Sequence, residues 1–407
     1  MSVSIDDIEK AARLVAGRVV HTPTFFAPRL SALTGAEVFV KYENMQATGS
    51  FKDRGALVKL ESLTPDERRR GVIAMSAGNH AQAVAYHAQH LGIPATIIMP
   101  VTTPFVKLQN TRSYGARVVL HGEQLSESQT KCEQLIAAED LVLVHPYDDP
   151  HVIAGQGTLA LEMLEAVPDL DTLVVPIGGG GLISGVALAA KARRPGIAIV
   201  GAEAELYPSF WNAIHAASLP IGGPTLAEGI AVKNVGRMTL PIVRDHVDEI
   251  VLVGESELER AVNAFATLQR TLAEGAGAAG LAALLARPER FAGRKVGLVL
   301  CGGNIDPRIL AAIMVRELER TGNIVAFRIT GLDRPGLLAS IAQCLAHSGA
   351  NILEVSHKRL LLDVPAKGVT LDLTVEARDR QHIETIFANL VAEGLTPRRL
   401  GRADIAP

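Results

Sequence analysis

Between residues 72 and 300 the apolar positions fall in short unbroken runs, separated by longer stretches where they recur at helical spacing. VIAM (72–75), ATIIM (95–99), RVVL (117–120), LVLV (141–144), TLVVP (172–176), AIVGA (198–202), EIVLV (249–253) and KVGLVL (295–300) each fit a strand covered on both faces. Residues 79–91, 123–138, 181–193 and 255–272 carry helical patterns between them. Strands alternating with helices predict an α/β fold with a doubly wound, mostly parallel sheet, whose ligands gather at the carboxyl ends of the strands.

The pattern changes near Thr321-Gly322-Asn323. From there IVAFRIT (324–330) reads as a strand, 336–347 as a helix, 352–361 and 368–376 as strands, and 379–393 as a helix before a short final strand. A βαββαβ unit of this size predicts a ferredoxin-like α+β domain. The expected organisation is therefore a domain over 1–322 and a second over 323–407.

Composition narrows the class. The 407 residues are 48% hydrophobic and 20% charged, which suits a large buried core, and the net charge of −3 gives no electrostatic case for nucleic acid or an anionic membrane. Cys132, Cys301 and Cys344 are odd in number and far apart, so neither a disulfide framework nor zinc spacing follows. The start MSVSIDDIEKAARLVAG lacks the basic-then-apolar order of a signal peptide, and no apolar run approaches a membrane span. A cytoplasmic protein is expected.

The candidate chemistry sits where strands meet helices. In TGSFKDRG (48–55), Ser50 followed three residues later by Asp53 reads as a capping box. That places Lys52 in the first turn of a helix, where the dipole disfavours a cation by about 0.3–1 kcal/mol. Four glycines in IGGGGL (177–182) follow a strand and open a helix, a cup in which backbone N–H groups can meet a phosphate. SAGNH (76–80) and CGGN (301–304) likewise follow strands. Singly, these are ordinary turns, helix caps and a buried thiol. Together they ask for a ligand with a phosphate and a carbonyl, and a lysine to condense with it, which pyridoxal 5′-phosphate satisfies.

With these motifs in view, residues 5–320 resemble the serine/threonine dehydratases of the fold-type-II pyridoxal-phosphate enzymes. SFKDRGA, SAGNHAQAVA, VPIGGGGLISG, AEGIAV (227–232), AEGAGAAG (273–280) and CGGN occur in that family's order and approximate spacing. GLDRPGLL (331–338) and SGANI (348–352) resemble an ACT regulatory domain, and a single C-terminal ACT domain is the arrangement of one group of threonine ammonia-lyases. The resemblance implies two open, twisted, mostly parallel sheets, with a smaller subdomain of about 46–150 inserted in the larger. It makes Lys52 the catalytic Schiff-base lysine, Phe51 a neighbour of the cofactor ring, and Asn79 the partner of its phenolic oxygen. Gly178, Gly179, Gly180, Gly181 and Leu182 hold the phosphate, Ser76, Asn79 and His80 receive the substrate carboxylate, and Cys301 faces the pyridine nitrogen. Leu332, Asp333, Gly336, Leu337, Asn351 and Ile352 form the effector site for a branched-chain amino acid, usually across a dimer interface, in a homodimer or homotetramer.

A neutral thiol opposite the ring nitrogen cannot hold it protonated, which favours loss of a β-substituent over reprotonation at Cα. The implied reaction is conversion of L-threonine to 2-oxobutanoate and ammonia, with L-serine to pyruvate beside it. Related racemases use a serine at the position of Ala77, which here has no proton to give. Some relatives hold a divalent cation beginning at a glutamate that matches Glu203, but Tyr207 and Ser209 stand where further acidic residues are expected, so the metal stays undetermined. A β-hydroxyaspartate ammonia-lyase and a serine racemase/dehydratase share the core and remain open. A non-enzymatic amino-acid sensor is disfavoured by the intact Lys52 and glycine run.

Overall fold

The predicted strands divide between two sheets, as the resemblance implies. The computed structural model describes residues 3–123, 125–358 and 367–401. The larger sheet runs Thr24–Phe26, Glu37–Tyr42, Lys295–Leu300, Thr172–Pro176, Ala198–Ala204 and Glu249–Val253, parallel throughout except at the Thr24–Phe26 edge. The smaller runs Arg117–Leu120, Ala95–Met99, Val72–Met75 and Val142–Leu143, all parallel. Val174, Val200 and Leu298 on the first sheet, and Ile73 and Ile97 on the second, are buried, as runs covered on both faces require. The helix expected over 255–272 ends at Leu268, because Arg270 adopts a left-handed conformation, φ 54°, that a helix cannot continue.

The expected capping box does not form. Ser50 pairs through its backbone with Gly302, its hydroxyl has no hydrogen-bond partner among the described residues, and Phe51 occupies the cap position of helix Lys52–Glu61. Asp53 turns its carboxylate to Thr48 instead, accepting the backbone N–H at 3.1 Å and the hydroxyl as well. The bridge to Gly302 draws Ser50 out of capping geometry, and Asp53 ties the preceding loop back onto the helix.

What fixes this helix is Arg54. Its guanidinium is fully buried and uses all five N–H donors. Two reach Glu43, both at 2.8 Å, two reach Glu162 at 2.6 and 2.8 Å, and one reaches the Thr158 hydroxyl at 3.0 Å. Buried Lys41 also binds Glu162 and donates to the Thr22 carbonyl at 2.6 Å. Two cations thus balance two carboxylates, and the network joins strand Glu37–Tyr42, helix Lys52–Glu61 and helix Pro150–Ala166.

The chain divides into two compact units, Met1–Asp306 and Pro307–Pro407. The division falls before the expected 322/323 boundary because helix Pro307–Thr321 is bonded to residues of the second unit. Asn323 N–H donates to the Leu318 carbonyl at 2.8 Å, and Arg380 to the Arg320 carbonyl at 2.6 Å. The second unit is an antiparallel sheet in the order Asn351–Lys358, Gly368–Glu376, Ile324–Leu332, Pro397–Arg399, with helices Leu337–His347 and Arg380–Ala392. Phe327, Ile341, Leu371 and Ile386 form its core. Of the strand expected over 352–361, positions 359–361 lie outside the described residues.

Removing one partner from a buried ion network strands the other charges. Arg54→Leu is expected to destabilise the first unit by about 3–5 kcal/mol. Chemical denaturation followed by the fluorescence of Trp211, the single tryptophan, measures it.

Candidate active site

Lys52 opens its helix between the two sheets, and its amine donates to the Pro146 carbonyl at 2.6 Å. The ammonium also lies 5.1 Å from the centre of the Phe51 ring. Loss of solvent lowers its pKa to about 8, against the opposing pull of Glu274. About a tenth of the amine is therefore unprotonated at pH 7, far more than for an ordinary lysine and more than its position in the first turn alone achieves.

The glycine run meets the same segment from the other side. Gly180 caps helix Gly181–Arg193 with φ 90°, and no side chain accepts from the first N–H groups. A Cβ on Gly179 would fall 2.2 Å from the Tyr147 ring, and one on Gly180 would fall 2.5 Å from Phe210, so no side chain fits this cradle. The Thr239 hydroxyl donates to the Gly179 carbonyl at 2.8 Å, and Leu182 is buried just inside the helix. Tyr147 is held by His145, whose Nδ1 accepts the N–H groups of Tyr147 at 3.3 Å and Asp148 at 2.8 Å. One short turn, 145–148, therefore touches both the lysine and the glycine cradle. Sequence reasoning missed Tyr147, whose only signal is a lone aromatic before an acidic pair.

Asn79 begins helix Asn79–His90, donates to Glu274 at 2.6 Å and accepts from Asn304 at 2.8 Å. The Ser76 hydroxyl accepts the Gly78 N–H at 3.2 Å, so Ser76 shapes the loop. His80 is buried and commits Nε2 to the Val144 carbonyl at 2.8 Å; burial, with Lys52 nearby, lowers its pKa to about 3 and keeps it neutral. Its backbone N–H, at the uncapped helix start, is the part of His80 left for an anion. Cys301 is buried, its carbonyl accepts the Phe51 N–H at 3.0 Å, and burial pushes its thiol well up, so it stays protonated. Glu274 lies within the AEGAGAAG motif but was given no role from sequence. Desolvation raises its pKa to about 7, with the Asn79 bond opposing.

The residues expected at a cation site are committed to other contacts. Glu203 accepts the N–H groups of Phe210 at 2.7 Å and Trp211 at 2.9 Å, and burial raises its pKa to about 7. Tyr207 donates to the Gly223 carbonyl at 3.0 Å and Ser209 to the Val232 carbonyl at 2.7 Å, so all three side chains serve the loop. Among the described residues no group of three or more His, Cys, Asp or Glu gathers as a metal site.

In the second unit, Leu332 ends its strand opposite Gly368, whereas Asn351 pairs with Glu376, opposite Ile324 at the far end. Asp333 donates its N–H to the Lys367 carbonyl at 2.8 Å, and Gly336 caps helix Leu337–His347 with φ 88°. Within one chain, Leu332, Asp333, Gly336 and Leu337 are thus at the opposite end of the sheet from Asn351 and Ile352.

A side-chain-free cradle at a helix start, an amine of lowered pKa and a neutral thiol define a site for a phosphorylated aldehyde cofactor, and the residues fit that group. Residues 15–302 match the family model for pyridoxal-phosphate dependent enzymes, and residues 321–393 match that for the ACT domain. The chain is 42% identical to the L-threonine ammonia-lyase of Thermotoga maritima over 98% of its own length and 100% of that protein. It is 42% identical to the catabolic L-threonine dehydratase of Escherichia coli strain K12, over 75% of this chain and 94% of that one. Among solved structures it is similar to maize serine racemase (TM-score 0.72, 35% identity, 79% of this chain and 99% of that one). It is also similar to threonine deaminase isoform 2 of Solanum lycopersicum (TM-score 0.71, 31% identity, 77% and 90%). The chain belongs to the pyridoxal-phosphate-dependent enzyme family, in its serine/threonine dehydratase branch, and carries a C-terminal ACT domain. Its cofactor is pyridoxal 5′-phosphate.

The lowered pKa of Lys52 sets a pH dependence. Because the neutral amine is the reactive form, incorporation of pyridoxal phosphate into the apoprotein should quicken as pH rises through about 8 and level off above it. Absorbance stopped-flow from about pH 6.5 to about pH 9.5 measures this; an ordinary surface lysine keeps accelerating towards about pH 10.

Proposed function

We propose that this protein is an L-threonine ammonia-lyase that converts L-threonine to 2-oxobutanoate and ammonia, with L-serine as a second substrate. The observation that carries the reading is Lys52, desolvated and hydrogen-bonded to Pro146, the residue before the tyrosine that lines the glycine cradle. Similarity to an L-threonine ammonia-lyase over 98% of the chain supports it.

Bound pyridoxal phosphate supplies the electron sink that acidifies the substrate Cα–H bond. Gly178, Gly179, Gly180, Gly181 and Leu182 hold its phosphate through backbone N–H groups at the uncapped helix start. Lys52 would hold the cofactor through its nitrogen, and the same nitrogen, when free, would take the proton from the substrate Cα. Phe51 would border the ring, Asn79 would meet the phenolic oxygen, and Cys301, whose thiol stays protonated, would face the pyridine nitrogen without supplying a negative charge. The Ser76–His80 loop takes the substrate carboxylate, with the backbone N–H groups at the start of helix Asn79–His90 as donors. Ala77, between them, offers no proton to the opposite face of Cα, which favours elimination over racemisation.

The ACT unit reads as the regulatory part of a cytoplasmic homo-oligomer in isoleucine supply. Separation of the 332–337 loop from Asn351 within one chain supports an effector site built from two copies. The domain boundaries follow the two compact units, with helix Pro307–Thr321 leading into the ACT sheet.

Lys52→Ala should lower ammonia release by several orders of magnitude while the Trp211 unfolding transition is kept; a coupled 2-oxo acid assay measures it, and near-wild-type turnover removes the assignment. Isoleucine, and more weakly valine, should change activity by roughly 5–150-fold. Gly336→Trp, at a position with open space among the described residues but at φ 88°, should erase that response and leave basal turnover intact, as read from activity against effector concentration.

A further inference from the structure

Resting on the reading of Asn79 as the cofactor's phenolic partner, we propose that Glu274 and Asn304 are positioning residues that lock the Asn79 amide in one orientation and leave one of its N–H groups for the cofactor. An asparagine amide can flip, presenting oxygen where nitrogen is needed, and only its neighbours decide. Here they decide one after another.

The relay begins at a group that cannot donate. The Thr48 carbonyl accepts from Asn304 at 2.8 Å, so the Asn304 nitrogen must face it. The same nitrogen reaches Asn79 at 2.8 Å, so Asn79 must present its oxygen there. That turns the Asn79 nitrogen to Glu274, which accepts at 2.6 Å. Of the two N–H groups on Asn79, one is taken by Glu274 and one remains. Space for the relay is kept by Gly302, where a Cβ would fall 2.4 Å from the Glu274 carboxyl oxygen and 3.0 Å from the Asn79 nitrogen. The relay starts in the loop that delivers Lys52 and ends at the residue before helix Gly275–Ala286, so the two sides of the cleft share one amide orientation.

Three variants, with Asn79→Ala as a fourth for comparison, test the relay, read by cofactor affinity of the apoprotein and by the absorbance band of bound cofactor. Asn304→Asp puts an acceptor against the Asn79 oxygen and should force the flip. Glu274→Ala removes the acceptor at the other end, while Glu274→Gln keeps an oxygen there. We expect the first two to weaken cofactor binding roughly 5- to 50-fold, the loss of one or two oriented hydrogen bonds, and to shift the band. Glu274→Gln should stay within about twofold of wild type with the band in place. Should Glu274→Ala fail to fold, the contrast between Asn304→Asp and Glu274→Gln decides. Wild-type affinity and band in Asn304→Asp overturn the proposal if Asn79→Ala perturbs both. If Asn79→Ala is silent as well, it is the reading of Asn79 that falls.

Discussion

A buried guanidinium holds the catalytic unit's chemistry in place. Arg54 stands two residues after Lys52, on the same helix, and its five donors are shared among Glu43, Glu162 and Thr158. The helix is therefore anchored at once to the turn that ends strand Glu37–Tyr42 of the larger sheet and to helix Pro150–Ala166. Apolar packing alone would let it slide or rotate, because dispersion contacts have little direction. A planar fork gripping two carboxylates has a single geometry, so the lysine ahead of it has a single position.

From that position the electrostatics of the cleft follow. Lys52 loses solvent and its pKa falls to about 8, while Glu274 across the cleft loses solvent and rises to about 7. His80 and the Cys301 thiol are both held neutral by burial. Lys52 and Glu274 therefore titrate close to neutral pH, and the proposed phosphate site at the glycine cradle would rely on oriented backbone dipoles. Such an arrangement lets the nitrogen of Lys52 carry a proton or release it at little cost, as the role proposed for it requires.

Much of the architecture is readable in the sequence because fully covered strands announce themselves as short apolar runs. VIAM, ATIIM, RVVL, TLVVP, EIVLV and KVGLVL form strands with the expected bounds. Glu37–Tyr42 escapes that reading because EVFVKY carries a lysine near its end, and nothing local shows that Lys41 is buried against Glu162, 121 residues away. Ser50 misleads for a related reason: the local spacing suits a cap, but a bridge to Gly302 overrides it. Glycine and lysine motifs reveal candidate chemistry because their local roles are unusual. Tyr147, Asn304 and Glu274 do not, since each acts through partners distant in sequence that only the folded chain brings near.

The proposed function stands on Lys52 as the residue that bonds the cofactor. Borohydride reduction of the holoenzyme, with proteolysis and peptide mass spectrometry after it, locates that bond. The expected result is a pyridoxyl group on the peptide containing Ser50-Phe51-Lys52. A pyridoxyl group on any other lysine, such as Lys41, Lys59 or Lys107, with Lys52 unmodified, would contradict it.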